Sequence, residues 1–130
     1  MSETKPMDQE TIQVIRQKIQ GYIEAWYTGI PEKGEKSLHP ELVKRIALKD
    51  SESGKDYLNR MSAAELMDRW RSKDGTKTPE ASQVYDISIL DIHGHIASAK
   101  LETPAWVDYM HLGKINGEWV IVNILWERKP

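Results

Sequence analysis

Trp106-Val107-Asp108-Tyr109-Met110-His111-Leu112-Gly113-Lys114-Ile115-Asn116-Gly117-Glu118-Trp119-Val120-Ile121-Val122-Asn123-Ile124-Leu125-Trp126 is the stretch on which the fold turns. Two runs rich in β-branched and aromatic residues flank Asn116-Gly117. That dipeptide suits the two positive-φ positions of a type I′ turn, so the stretch predicts a β-hairpin. With a two-residue loop Ile115 faces Glu118, and the pairs Leu112–Ile121, Met110–Asn123 and Asp108–Leu125 follow. Trp106, Asp108, Met110, Leu112, Ile121, Asn123 and Leu125 then share one face, with one acid and one amide in an apolar row. The other face carries Val107, Tyr109, His111, Val120, Val122, Ile124 and Trp126, too apolar to stand bare in water. A second copy of the chain is its expected cover. A one-residue bulge would exchange the two faces.

Upstream, the period of two begins at Gln83. Strands are expected near 83–92, 95–103, 106–115 and 118–127, an antiparallel meander with a tight turn at His93-Gly94. Ala97, Ala99 and Leu101 alternate with more polar residues and leave room for a helix on the inner face. A four-residue loop over Glu102 to Ala105 sets Leu101 beside Trp106 and Ala99 beside Asp108.

The first half is read mainly as helices and loops. Ile12, Ile15, Ile19, Tyr22, Ile23 and Trp26 recur every three or four residues, which predicts a helix over 9–28 with one apolar stripe. Asp8 caps its start, and Thr28-Gly29-Ile30-Pro31 stops it. Gly21 inside it signals either a weak point or close packing. A polar loop covers Glu32 to Ser37. His39-Pro40-Glu41 looks like a helix start, because Pro is tolerated at the first helical position. Leu42 to Leu48 is too short for periodicity to separate helix from strand. Lys49 to Lys55 is a turn, and Asp56 to Met61 is extended. Ser62-Ala63-Ala64-Glu65 is a capping box opening a second helix with Leu66, Met67 and Trp70 on its apolar face to about Ser72. Lys73 to Pro79 reads as an exposed loop.

Composition bounds the function. The chain has 130 residues, enough for one domain that buries roughly two thirds of its unfolded-chain surface. That domain is expected over 8–130, after a disordered tail over 1–7. With 18 basic and 20 acidic residues there is no electrostatic footprint for nucleic acid or an anionic membrane. No cysteine is present, which excludes disulfides, thiolate metal sites and a Cys nucleophile. No apolar run approaches the roughly 20 residues of a membrane span. Nothing in the N-terminal residues suggests a signal peptide, so a soluble cytoplasmic protein is the expectation. Five Trp and five Tyr without any Phe suit an amphipathic cavity wall as well as ordinary core packing.

Asp108 is the sharpest candidate for a site. Among Trp and Met its carboxyl would be desolvated and its pKa raised toward the range of a general base. The plainer alternative is that it accepts bonds from a Trp or Tyr. His39 offers a proton shuttle or a half-exposed cap. His111 falls on the outer face, where a dimer contact is expected, and His93-x-His95 lacks the carboxylates that would make it a metal site. Tyr22, Trp26, Tyr57, Trp70, Trp106 and Met110 are candidate cavity walls. Asn123 is placed to orient a ligand carbonyl or to bond Asp108. No phosphate loop, serine nucleophile elbow or basic–aromatic patch is present, and no cofactor is implied.

The order of long helix, His-Pro break, short strand pair, Ser-capped helix and four-strand meander resembles the nuclear transport factor 2-like superfamily, the SnoaL-like α+β cone. Within it the chain looks like the branch named putative lumazine-binding proteins. The residues that carry the likeness are Tyr22 to Tyr27 with Gly29, His39-Pro40 with Glu41 to Arg45, Met61-Ser62-x-x-Glu65-Leu66, Trp106-x-Asp108-Tyr109 and the run from Leu112 to Val122. The resemblance spans about residues 8 to 127. It implies a curved antiparallel sheet wrapped around the long N-terminal helix, a cavity at the wide end, and dimers through the sheet. It also implies relatives that include isomerases, cyclases and dehydratases beside non-catalytic binding modules, so fold alone does not choose.

Three functions stay open on sequence. The first is a small-molecule binding protein in which Asp108 and Asn123 orient a flat, polar ligand. The second is a cofactor-independent isomerase, cyclase or dehydratase with Asp108 as general base, assisted by His39 or a Tyr. The third is a dimerisation module whose cavity its own side chains fill.

Overall fold

The computed structural model describes residues 8–130, so the expected disordered tail over residues 1–7 lies outside the described residues. Helix α1 (Gln9–Thr28) is followed by strands β1 (Leu38–Lys49) and β2 (Asp56–Ser62), helix α2 (Ala63–Arg71), and strands β3 (Asp86–His93), β4 (Ile96–Glu102), β5 (Trp106–Ile115) and β6 (Glu118–Arg128). The six strands form one sheet in the order β2-β1-β6-β5-β4-β3. Every neighbouring pair is antiparallel except β1 with β6.

Local signals set the helices. The Asp8 carboxylate accepts from the Glu10 N–H at 3.2 Å and the Thr11 hydroxyl at 2.9 Å. At the other end Gly29 adopts φ 67° and its N–H donates to the Ala25 carbonyl, a left-handed cap that favours glycine. Both halves of the Ser62–Glu65 capping box form. Gly21 marks close packing: a Cβ there would sit 2.6 Å from the Lys33 carbonyl oxygen and 2.8 Å from Ser37 Oγ.

The core lies between α1 and the inner face of the sheet. Ile15, Ile19, Tyr22 and Ile23 of α1 are buried together with Ala99, Leu101, Met110, Leu112, Ile121 and Ile124. Burying each Ile, Leu or Met side chain among them stabilises the fold by about 1.5–3 kcal/mol.

The structure corrects the sequence expectations in three places, two of them in register. The turn at Asn116-Gly117 forms as expected, with φ 52° and 81° and Ile115 opposite Glu118. Leu112 faces Ile121, but the register then slips so that His111 faces Asn123, Met110 faces Ile124 and Asp108 faces Trp126. Val122 is the bulge residue. Ile124 and Trp126 thereby turn inward, and Asn123 and Leu125 turn outward. Between β4 and β5 the register moves by two, setting Leu101 beside Asp108 and Ala99 beside Met110. The turn that does this is held by Thr103, whose hydroxyl accepts from the Ala105 and Trp106 N–H groups at 3.1 Å each. A shift of two preserves the inner face.

The third correction concerns His39-Pro40-Glu41, which lies inside β1 rather than at a helix start. The pairing of β1 with β6 is irregular between Leu38 and Val43. Pro40 sits in that gap, where its missing N–H interrupts no ladder bond. Strand β3 also begins at Asp86, after a short 3-10 turn at Glu80–Ser82. Residues 73–79 are mostly exposed as expected, apart from Gly75, which is buried so closely that a Cβ on it would meet Trp26 Cδ2 at 2.6 Å.

Candidate functional site

A cavity of about 480 Å³ lies between α1, α2, β1, β2 and the adjoining ends of β5 and β6. Its aromatic wall is Tyr22 and Trp26 from α1, Trp70 from α2, Trp106 from β5 and Trp126 from β6. Alternation along β1 brings Lys44, Ile46 and Leu48 to the same space, and β2 adds Asn59, Arg60 and Met61. Arg69 of α2 and Arg128 of β6 complete its charged part.

Behind this wall stands Asp108, 0% exposed. Its Oδ2 accepts from the Tyr22 hydroxyl at 3.1 Å and from Trp106 Nε1 at 3.0 Å. Tyr22 in turn accepts from the Lys44 ammonium at 2.7 Å. A lysine, a phenol and a carboxyl are thus linked in one chain that runs from half-buried Lys44 to fully buried Asp108. Asp108 Oδ1 and Trp26 Nε1 are buried without a hydrogen-bond partner. Such orphans are rare because each forfeits about 1–3 kcal/mol of solvation.

Burial decides the electrostatics. It raises the Asp108 pKa above the usual carboxylate value, against the opposing Lys44 charge and the bonds from Trp106 and Tyr22. It pushes the Tyr22 phenol well up, with the Asp108 charge acting in the same direction. The Lys44 ammonium is held below the usual lysine value by burial and by Arg69, while Asp108 pulls the other way.

The sequence-derived candidates separate cleanly by position. Tyr22, Trp26, Trp70 and Trp106 border the cavity, and Asp108 lies directly behind Tyr22 and Trp106. Met110 is buried in the core away from it, and Tyr57 is exposed on β2. Asn123, turned outward by the Val122 bulge, accepts from Arg45 at 3.0 Å and pairs with His111 at 3.3 Å. His39 is half-buried on β1, where its Nδ1 accepts from the Glu41 N–H. None of the four histidines borders the cavity. His93, His95 and His111 sit together with Asp91 around a separate outer depression. Among the described residues no cluster of three or more His, Asp or Glu is placed to hold a metal.

Lys44, Trp126, Arg60, Arg69 and Arg128 were not singled out by sequence reasoning. For Lys44 a signal exists: Leu42, Lys44, Ile46 and Leu48 alternate, so the lysine occupies one position of an apolar row. Trp126 was placed on the wrong face by the bulge. The arginines are scattered through the chain and converge only in three dimensions.

Comparison with known proteins agrees with this architecture. No curated protein matches the sequence. Among solved structures, a nuclear transport factor 2-like protein of unknown function from Shewanella baltica OS155 superposes with TM-score 0.72 at 18% identity, covering 97% of this chain and 99% of that one. Another from Methylobacillus flagellatus KT gives 0.71 at 19% identity over 99% and 100%. A ketosteroid isomerase-like protein from Erwinia carotovora atroseptica SCRI1043 gives 0.62 at 12% identity over 95% and 100%. At these identities the likeness establishes the fold, an α+β cone of the nuclear transport factor 2-like kind. The family described as "Putative lumazine-binding" matches residues 10–127, nearly all of the described chain, and this protein belongs to that family.

Proposed function

We propose that this protein binds a small, flat organic molecule in the cavity between α1, α2 and the β1–β2 end of the sheet. The carrying observation is a space of about 480 Å³ walled by five aromatic side chains. That volume is in the range of small-molecule sites, and an apolar wall with few polar groups is their usual composition. The family's description names a fused-ring heterocycle, a shape that suits tryptophan walls. In this reading Asp108 is a positioning residue. It holds the Tyr22 hydroxyl and the Trp106 indole in place while bordering no ligand itself.

The enzymatic alternative, an isomerase, cyclase or dehydratase with Asp108 as base, draws support from the unpartnered Oδ1 and the raised carboxyl pKa. It ranks second because Asp108 stands behind the wall and no histidine reaches the cavity. The module with a filled cavity ranks third, on the volume alone. The test is an experimental structure of protein purified without added ligand. Density for a planar molecule lying among the tryptophans is the expected result. An interior collapsed shut by its own tryptophans would overturn the binding reading.

The same proposal places the protein in the cytoplasm as a homodimer. No helix among the described residues is long and apolar enough to cross a membrane. The outer sheet face keeps Tyr109 52% and Leu125 51% exposed beside half-buried Val107, Val120 and Val122. Light scattering is expected to give twice the chain mass, and Leu125→Lys to shift it toward the monomer. A monomer at high concentration would sink the dimer.

A further inference from the structure

Charge is segregated at the cavity. The chain has slightly more acidic than basic residues, yet the wall carries Lys44, Arg60, Arg69 and Arg128 with no Asp or Glu. Arg69 is neutralised by Asp74 at 3.1 Å. Among the described residues, Lys44, Arg60 and Arg128 have no carboxylate within 4.0 Å. Two of these cations are held in place by aromatic contact. Lys44 Nζ lies 5.0 Å and the Arg128 guanidinium 4.8 Å from the Trp126 ring, so Trp126 is flanked by fixed positive charge.

The hydrogen-bond inventory is equally one-sided. An ammonium carries three protons, and Lys44 gives one to Tyr22. The Tyr22 hydroxyl is fully engaged, donating to Asp108 and accepting from Lys44. A wall with a lysine that has protons to spare, cations without a carboxylate in direct contact and four indoles is complementary to a molecule that offers acceptors, negative charge and a π-face.

We infer that the occupant is an organic anion: an aromatic or heteroaromatic ring bearing one carboxylate or comparably acidic oxygen. Its ring lies among the tryptophans, its charged oxygen is taken by Lys44, and Arg60 and Arg128 draw it to the cavity. The inference rests on the binding reading proposed above and narrows it to one charge class. It also suits half-buried Lys44, whose charge burial disfavours, since an anion beside it stabilises the ammonium.

Three probes of one shape separate the possibilities: 2-naphthoate, 2-naphthamide and 2-naphthylmethylammonium, titrated calorimetrically into the full chain. The expected result is carboxylate binding at least about tenfold tighter than the amide, the scale of one charge-assisted hydrogen bond, with the ammonium weakest. Arg60→Gln/Arg128→Gln is expected to narrow the carboxylate-over-amide ratio, and added salt to do the same. Both arginines are exposed, so the double variant keeps its fold. Equal affinity for acid and amide would overturn the anion inference while leaving the binding reading standing. No heat from any of the three would overturn both.

Discussion

Asp108→Ala is expected to lower the unfolding free energy by about 2–4 kcal/mol at neutral pH, because it orphans two buried donors at once. The Tyr22 hydroxyl and Trp106 Nε1 both point their protons at Oδ2, and a methyl group offers neither an acceptor. Lys44 loses its compensating charge in the same step. Asp108→Asn keeps a carbonyl oxygen in place and should recover much of the loss.

The difference between wild type and Asp108→Ala also has a predicted pH dependence. Burial makes the folded protein hold the Asp108 proton more tightly than the unfolded chain does. Above the ordinary value of 3.8 the folded state therefore binds more protons, and stability falls as pH rises through the folded pKa. That contribution is complete below 3.8 and is lost across the interval up to the raised value. Lys44 acts in the same sense: without Asp108 its charged form is still less favourable, which costs the variant stability as pH falls. The stability gap should thus narrow as pH rises above 3.8, measured by urea unfolding followed through tryptophan fluorescence. A gap independent of pH, or a variant as stable as wild type, would refute the buried-carboxyl account.

The second large effect is expected at Trp70. This side chain is 1% exposed, meets the Tyr22 ring edge-on at 6.0 Å, and lies so close to Gly34 that a Cβ there would fall 2.6 Å from its ring. It ties α2 to α1 and to the turn after it, and it forms one wall of the cavity. Trp70→Ala is expected to cost about 3–5 kcal/mol, the range for removing a buried tryptophan. The lost wall also releases the ring contact that holds Tyr22. Trp70→Phe keeps an aromatic edge and should fall well short of that cost. Thermal melts of the two variants beside wild type decide the point. Similar small losses in both would mean that α2 is anchored elsewhere.

Features legible from sequence share one property: the interacting residues are near neighbours in the chain. The Asp8 and Gly29 caps, the Ser62–Glu65 box and the Asn116-Gly117 turn each close within about four residues, so spacing alone reports them. The burial of Asp108 was legible for a related reason. It lies on β5 upstream of any irregularity, in strict alternation with Trp106, Met110 and Leu112.

The bulge at Val122 was invisible because both phases of β6 are apolar. Ile121, Asn123 and Leu125 make as plausible an inner row as Ile124 and Trp126, and beyond the turn hydrophobic pattern is the register signal that remains along a strand. One extra residue therefore moved Asn123 out to Arg45 and His111 and brought Trp126 in against Lys44. His39-Pro40 misled in the same way, since a proline that starts a helix and one in an irregular strand look alike locally.

By itself the sequence determined the long helix, the capped second helix, the hairpin and the inner position of one acid, since short-range geometry specifies each. Only the tertiary structure decided what that acid holds and what the cavity asks of a ligand. Tyr22, Lys44 and Asp108 are linked across separations of 22 and 86 residues, and the arginines come from β2, α2 and β6. Such convergence is set by the strand order and by a single slip in register, quantities that no local pattern encodes.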